Sequence, residues 1–190
     1  MPRGEYAITD GRAAVERFMS APGPMGWRYH ATRDDAGGGS TTFDVSVDRD
    51  GRPVRVRIES AAHTLTVIAR GERFEGERDG ELVEGPLPGP VVFGSPGSDA
   101  VLLHRLASSA TVRALRVDPA TLTLHEVELR CERRGDEQVA TPAGMFDAAR
   151  WRTGGRTIWL AGSTVVAADG VVLRAYEPGA TGPVPRLKSL

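Results

Sequence analysis

Strict two-residue alternation over residues 43–84 limits what this chain can fold into more than any other feature. Phe43, Val45 and Val47 alternate with Asp44, Ser46 and Asp48. After Arg49-Asp50-Gly51, Val54, Val56 and Ile58 alternate with Arg55, Arg57 and Glu59. A period of two gives a strand one apolar and one charged face, and no helix presents its side chains that way. Glycine after aspartate accepts the positive φ of tight hairpin turns, so Asp50-Gly51 and Asp79-Gly80 read as joints between antiparallel neighbours. Residues 64–70 and 72–77 continue the pattern, with Leu65, Val67 and Phe74 pointing inward. The segment is a half-buried meander whose apolar face needs a cover.

The flanking sequence extends the same grammar. Residues 13–19 read as a strand, paired with 26–32, where Trp27, Tyr29 and Ala31 share a face. Asp10-Gly11 is a turn signal, and the glycines at 37–39 mark a flexible connection. Gly85-Pro86-Leu87-Pro88-Gly89-Pro90 cannot continue a ladder and marks a midpoint. After a short strand at 91–93, Ser98 or Asp99 can cap a helix that carries Val101, Leu102, Leu103 and Leu106. Strands then recur at 111–117, 122–134, 137–140, 156–160, 163–168 and 171–176, with Gly135-Asp136, Gly154-Gly155 and Asp169-Gly170 as turns. The expected fold is mainly β: a curved antiparallel β-roll or half-barrel from two similar meanders, with one short helix near 98–107. Residues 1–178 form one domain in halves 1–85 and 91–178, and 179–190 form a flexible tail.

Composition excludes several functions. A chain of 190 residues is long enough to bury a core without staples. A net charge of -1 and a pI of about 6.4 argue against a general nucleic-acid binder or a polybasic membrane anchor. Lys188 is the single lysine among 24 Lys+Arg residues, so the other cations are planar, bidentate arginines. Cys131 is the only cysteine, which rules out an internal disulfide and a cysteine-based zinc site, and its strand-like context reads as a small buried residue. The first residues lack the apolar stretch of a signal peptide and no window reaches membrane-spanning length, so a cytoplasmic protein without an integral membrane segment is expected.

Motifs for chemistry are absent. His30, His63, His104 and His125 form no i,i+2 or i,i+4 pair, and there is no His-Glu-x-x-His, phosphate loop, dinucleotide fingerprint or Gly-x-Ser-x-Gly elbow. No metal, cofactor or catalytic residue is therefore expected. Ser95, Ser98, Asp99 and His104 crowd one helix entry and read as caps and core, because a triad needs groups brought from separate elements.

Two stretches resemble a bacterial family described as glycolipid-binding. Ser95-Pro96-Gly97-Ser98-Asp99-Ala100-Val101-Leu102-Leu103-His104-Arg105-Leu106 is similar to a family segment reading roughly Thr-Pro-x-Thr-Asn-x-Leu-Pro-Ile-Arg-Arg-Leu, which also follows a short strand. It departs at Asp99 (for Asn), at Leu102 or Leu103 (for Pro and Ile) and at His104 (for Arg). Residues 165–176 resemble the family's closing hairpin, and Thr141-Pro142-Ala143-Gly144-Met145-Phe146 looks like a recurring piece of periplasmic β-roll proteins. The resemblance covers the middle and end of the chain. It implies a spiral half-barrel, similar to bacterial lipoprotein carriers, whose concave face wraps an apolar ligand.

The resulting expectation is a non-enzymatic binding protein, monomeric or homodimeric, for a lipid, glycolipid or other apolar ligand. Trp27, Tyr29, Phe43, Leu103, Trp151 and Trp159 would line the cavity, with His104 and Arg105 at its polar mouth. Arg28, Arg55, Arg57 and Arg105 have two readings: fork-like donors to a ligand head, or cross-strand partners of Asp44, Asp48 and Glu59. One alternative is an intracellular enzyme using Asp44, His104 and Arg105 on the concave face. The other is an interaction module that uses a sheet edge or face.

Overall fold

The computed structural model describes residues 1–9, 11, 13–180 and 182–185. The Asp of the expected Asp10-Gly11 turn lies outside them, as do Thr181 and residues 186–190 of the tail. The first meander runs through β1 (Arg3–Ile8), β2 (Ala14–Gly23), β3 (Gly26–Asp35), β4 (Ser40–Asp48), β5 (Pro53–Ser60), β6 (Thr64–Arg70), β7 (Arg73–Arg78) and β8 (Glu81–Pro86). The second follows as β9 (Val91–Val92), the helix α1 (Pro96–Leu103), β10 (Ala110–Val117), β11 (Leu124–Thr141), β12 (Gly144–Thr153), β13 (Arg156–Ala161), β14 (Thr164–Ala168) and β15 (Val171–Glu177).

These strands make one open, curved 15-stranded sheet in the order β8-β7-β6-β5-β4-β3-β2-β1-β15-β14-β13-β12-β11-β10-β9. Neighbours are antiparallel except β9 and β10, which run parallel. The two meanders meet where β1 pairs with β15, with Ala7 opposite Val172 and Gly4 opposite Tyr176. The expected curved antiparallel β architecture is what the chain adopts, with a single short helix among the described residues. At the β7–β8 and β12–β13 hairpins both central residues take positive φ, Asp79 (53°) with Gly80 (85°) and Gly154 (56°) with Gly155 (82°), matching the twist of the flanking strands.

Two boundaries differ from expectation. Gly135-Asp136 does not turn the chain. Gly135, at φ 112°, instead absorbs a bulge inside β11, where the register against β12 shifts between Arg133 and Gly135. One strand therefore runs where two were expected. The helix begins earlier than residue 98: Ser95 is its N-cap, accepting the Gly97 N–H on its side-chain oxygen, and Pro96 opens the first turn.

The Pro/Gly segment sets the curvature. Fifteen strands spaced about 4.8 Å apart would span roughly 67 Å if flat. Only residues 87–90 separate β8 from β9, and five Cα steps reach about 19 Å at most. The sheet therefore curls until its two outer edges lie within reach of this strap. Both ends of the strap are pinned: the Leu87 N–H donates to Glu72 O (2.8 Å) and the Leu115 N–H to Pro90 O (2.9 Å).

The strap leads directly into α1, which lies on the concave face against β9, β13 and β14. A helix buried on every side needs apolar or self-satisfied residues all round. Accordingly Gly97, Ser98, Ala100, Val101, Leu102 and Leu103 are all buried. The inward rows of both meanders and α1 form one continuous core. On the convex face Arg28 pairs with Asp44 (3.2 Å) and Arg57 with Glu59, so these arginines serve the surface of the sheet. Exposed pairs like these contribute little stability each.

The described part of the tail folds back, with the Gly182 N–H donating to Pro178 O at 2.9 Å. Pro185 lies so close to Gly144 that a Cβ there would stand 2.8 Å from it. No helix among the described residues is long and apolar enough to cross a membrane.

Candidate functional site

The concave face is organised around a carboxylate. Strand β2 points Ala14, Glu16, Phe18 and Ser20 inward in turn, so its alternation carries a glutamate into the core, where Glu16 is 0% exposed. A buried charge persists only when paired and fully hydrogen-bonded. Glu16 Oε1 accepts from Tyr29 Oη and from Ser95 Oγ, each at 2.6 Å. Its Oε2 accepts from Arg33 Nε (3.1 Å) and Nη2 (2.7 Å). Arg33 also donates to Gly94 O at 2.9 Å and lies over the Phe43 ring, 5.4 Å from its centroid. Burial first, and then the Glu16 charge, hold the Tyr29 phenol well above its ordinary value, so it stays a donor. The cluster fastens the N-cap of α1 to β2 and β3.

Gly97 allows the helix to come this close. A Cβ there would stand 2.2 Å from Tyr29 Cζ, and the tyrosine ring is held by Glu16 and by stacking on Phe18, whose centroid is 5.9 Å away. Gly97→Ala should therefore destabilise the fold by about 1–3 kcal/mol through overpacking, read as a lower urea midpoint at unchanged m. Wild-type stability in that variant would mean that α1 sits farther from β3.

A second carboxylate follows one turn on. Asp99 lies in the first turn of α1, where the helix dipole favours an anion, and meets Arg156 Nη1 of β13 at 3.4 Å. Arg156 Nε is shielded from solvent and has no hydrogen-bond partner. Burial raises the Asp99 carboxyl from 3.8 to about 6; Arg156 opposes the shift and Glu16 reinforces it. An acid with a raised folded-state value holds its proton longer folded than unfolded. Its stabilising contribution is therefore present at low pH and is lost as pH rises from about 4 to about 6. Relative to Asp99→Asn, the wild type should lose about 3 kcal/mol across that window, measured as paired urea titrations. A constant difference between the two proteins would refute the assignment.

Beside Asp99 opens a cavity of about 280 Å³ between α1, β10, β11 and β13. Val92, Leu102, Val117 and Leu129 give it apolar walls, and Asp99, Arg116 and Arg156 give it charge. Arg116 is exposed, and no hydrogen bond or ion pair engages its guanidinium among the described residues. No group of three or more His, Cys, Asp or Glu side chains that could hold a metal ion occurs among the described residues.

The residues expected to line a ligand site have several fates. Trp27, Tyr29, Phe43, Leu103 and Trp151 are all inward and buried, between 1% and 4% exposed, within the packed core. Trp27 donates its indole N–H to Ser20 Oγ (2.6 Å) and meets the His104 ring edge-on at 5.6 Å. His104 Nδ1 faces Gly162 O at 3.2 Å, so that nitrogen carries the proton. Arg105 donates to the backbone oxygens of Asp48 (2.7 Å) and Arg49, clamping the end of α1 to the β4–β5 hairpin. Trp159 is not with the others. It alternates with the buried Ile158 and Leu160, and its indole donates to Glu137 in an exposed setting. Asp44, bonded to Arg28 on the convex face, is likewise not brought together with His104 and Arg105.

The sequence pattern does not single out Glu16, Arg33, Arg116 or Arg156, and it marks Ser95 and Asp99 only as helix-entry residues. The available signal for Glu16 was a lone acid on the apolar side of an alternating strand. No family model, curated protein or solved structure matches the chain.

Proposed function

We propose that the chain is a non-enzymatic binding protein for a lipid, glycolipid or other ligand with an apolar body, held beside α1 on the concave side of the sheet. The observation that carries this reading is the cavity of about 280 Å³ in which an aliphatic wall and charged side chains face one another. Pockets for small ligands have this make-up, mostly apolar with a few placed polar groups, and this one lies just below their usual range of about 300–1,000 Å³. The centre of the concave face is taken by α1, so the ligand's place is next to the helix and its apolar part is a short chain.

Native mass spectrometry tests the reading. The full chain, as purified and then titrated with octyl glucoside, should carry one bound molecule that is lost on denaturation. Leu129→Trp, which fills the cavity from β11, should abolish that adduct while leaving the strand signal in circular dichroism unchanged. An adduct that survives Leu129→Trp, or no adduct under either condition, would overturn the reading.

A further inference from the structure

We infer that the head of the bound ligand is an anion, a carboxylate or a phosphate monoester, gripped between Arg116 of β10 and Arg156 of β13 at the mouth of the cavity beside α1. The inference rests on the binding reading above and adds the chemical class of ligand.

Two guanidinium groups line this cavity, and neither is fully engaged. Arg116 has no partner among the described residues, although most arginines of the sheet surface are matched to a carboxylate within 4 Å, as its strand neighbour Arg113 is to Glu126 of β11. Arg156 has a single contact at 3.4 Å to Asp99, long for a charge-assisted bond, and its shielded Nε donates to nothing. An oxyanion placed between the two arginines gives Arg116 a partner and adds charge-assisted bonds to the terminal nitrogens of Arg156. Thr153 lines the same space, and its hydroxyl accepts from Cys131 Sγ (3.6 Å) and keeps its own proton to donate. The aliphatic wall of Val92, Leu102, Val117 and Leu129 then takes the apolar part of the ligand.

Asp99 is the competitor for Arg156. An anion entering the cavity meets a like charge unless Asp99 is protonated, so binding takes up a proton. The groups that face Asp99 are Arg156 from β13, Glu16 from β2, Tyr6 from β1 and Cys131 from β11. Burial above all raises both the Tyr6 phenol and the Cys131 thiol, so these two stay neutral at working pH. His125 stands opposite Arg116 in the β10–β11 register, with its ring Nε2 bonded to Thr123 Oγ1 (3.0 Å).

The test is calorimetric titration of the full chain with 1-octanesulfonate (whose charge does not vary with pH), octyl glucoside and inorganic phosphate, at pH 5 and pH 7.5. Octanesulfonate should bind about tenfold or more tightly than octyl glucoside, and Arg116→Met, an exposed position where folding is not at stake, should erase that preference. Octanesulfonate should also bind about tenfold more tightly at pH 5 than at pH 7.5. Asp99→Asn should remove that dependence by bringing the pH 7.5 affinity up to the pH 5 level, whereas His125→Gln should leave it in place.

Octyl glucoside binding as tightly as octanesulfonate, or an unchanged preference in Arg116→Met, would overturn the anion assignment and leave the binding reading standing. Inorganic phosphate binding as tightly as octanesulfonate would keep the anion site and remove the apolar ligand. Binding of none of the three would overturn both.

Discussion

Glu16→Ala is expected to lose about 3–5 kcal/mol of stability, measured as a fall in urea midpoint, because it strands three groups at once. Tyr29 and Ser95 lose the acceptor for their hydroxyls, and Arg33, with its side chain only 18% exposed, keeps its charge without the carboxylate that neutralises it. The cost comes from leaving those partners desolvated and unmatched more than from the attraction that is lost. The same logic predicts strong coupling. Arg33→Ala alone should also be severe, since it leaves a fully buried carboxylate, and the Glu16→Ala/Arg33→Ala double variant should cost clearly less than the two single losses added. Additive losses would mean that the two side chains do not meet.

Trp151→Ala should cost a similar amount, about 3–5 kcal/mol, by a different route. Trp151 is 2% exposed on β12, opposite Ile158 of β13 in the register, and truncation leaves a void that the surrounding strands cannot close without breaking their ladder. Its indole N–H is buried and has no hydrogen-bond partner. Trp151→Phe should therefore be much milder than the alanine change, since it removes an unmet donor together with the lost volume. Thermal unfolding of both variants checks this: a phenylalanine variant as unstable as the alanine one would show that the indole N–H is in fact satisfied.

Most of the sheet could be read from the chain because its convex face is wet. In β4 and β5, charged residues alternate with Phe43, Val45, Val56 and Ile58, and that contrast reports strand, face and turn together. Where the contrast fails, so does the reading. Gly135-Asp136 has the letters of a turn, yet its place opposite Arg150 makes it a bulge, and only the partner strand decides which. Ser95, Ser98 and Asp99 are all competent caps; Pro96 was the signal that favoured Ser95, because proline suits the first helical position.

The candidate site was less legible for a reason of distance. Glu16 draws its donors from 13, 17 and 79 residues away, and nothing local marks Tyr29, Arg33 and Ser95 as its partners. Trp151 and Trp159 share a residue type but not a face: the alternation through Ile158, Trp159 and Leu160 separates Trp159 from the inward row.

The seam between β1 and β15 has a consequence for how the protein is made. Tyr6 on the earliest strand faces Leu173 on the latest across a register that no local hairpin can nucleate. During synthesis the first meander can zip as each turn emerges, but β1 keeps a bare edge until residues 171–177 have left the ribosome. Until residues 96–103 emerge the half-roll also lacks α1, so its apolar face is open to solvent or to other nascent chains. A chain stalled or cut just before β15 would thus not fray at one end. It would come apart in the middle of the sheet, and a chaperone that shields a strand edge would be needed until β15 has paired with β1.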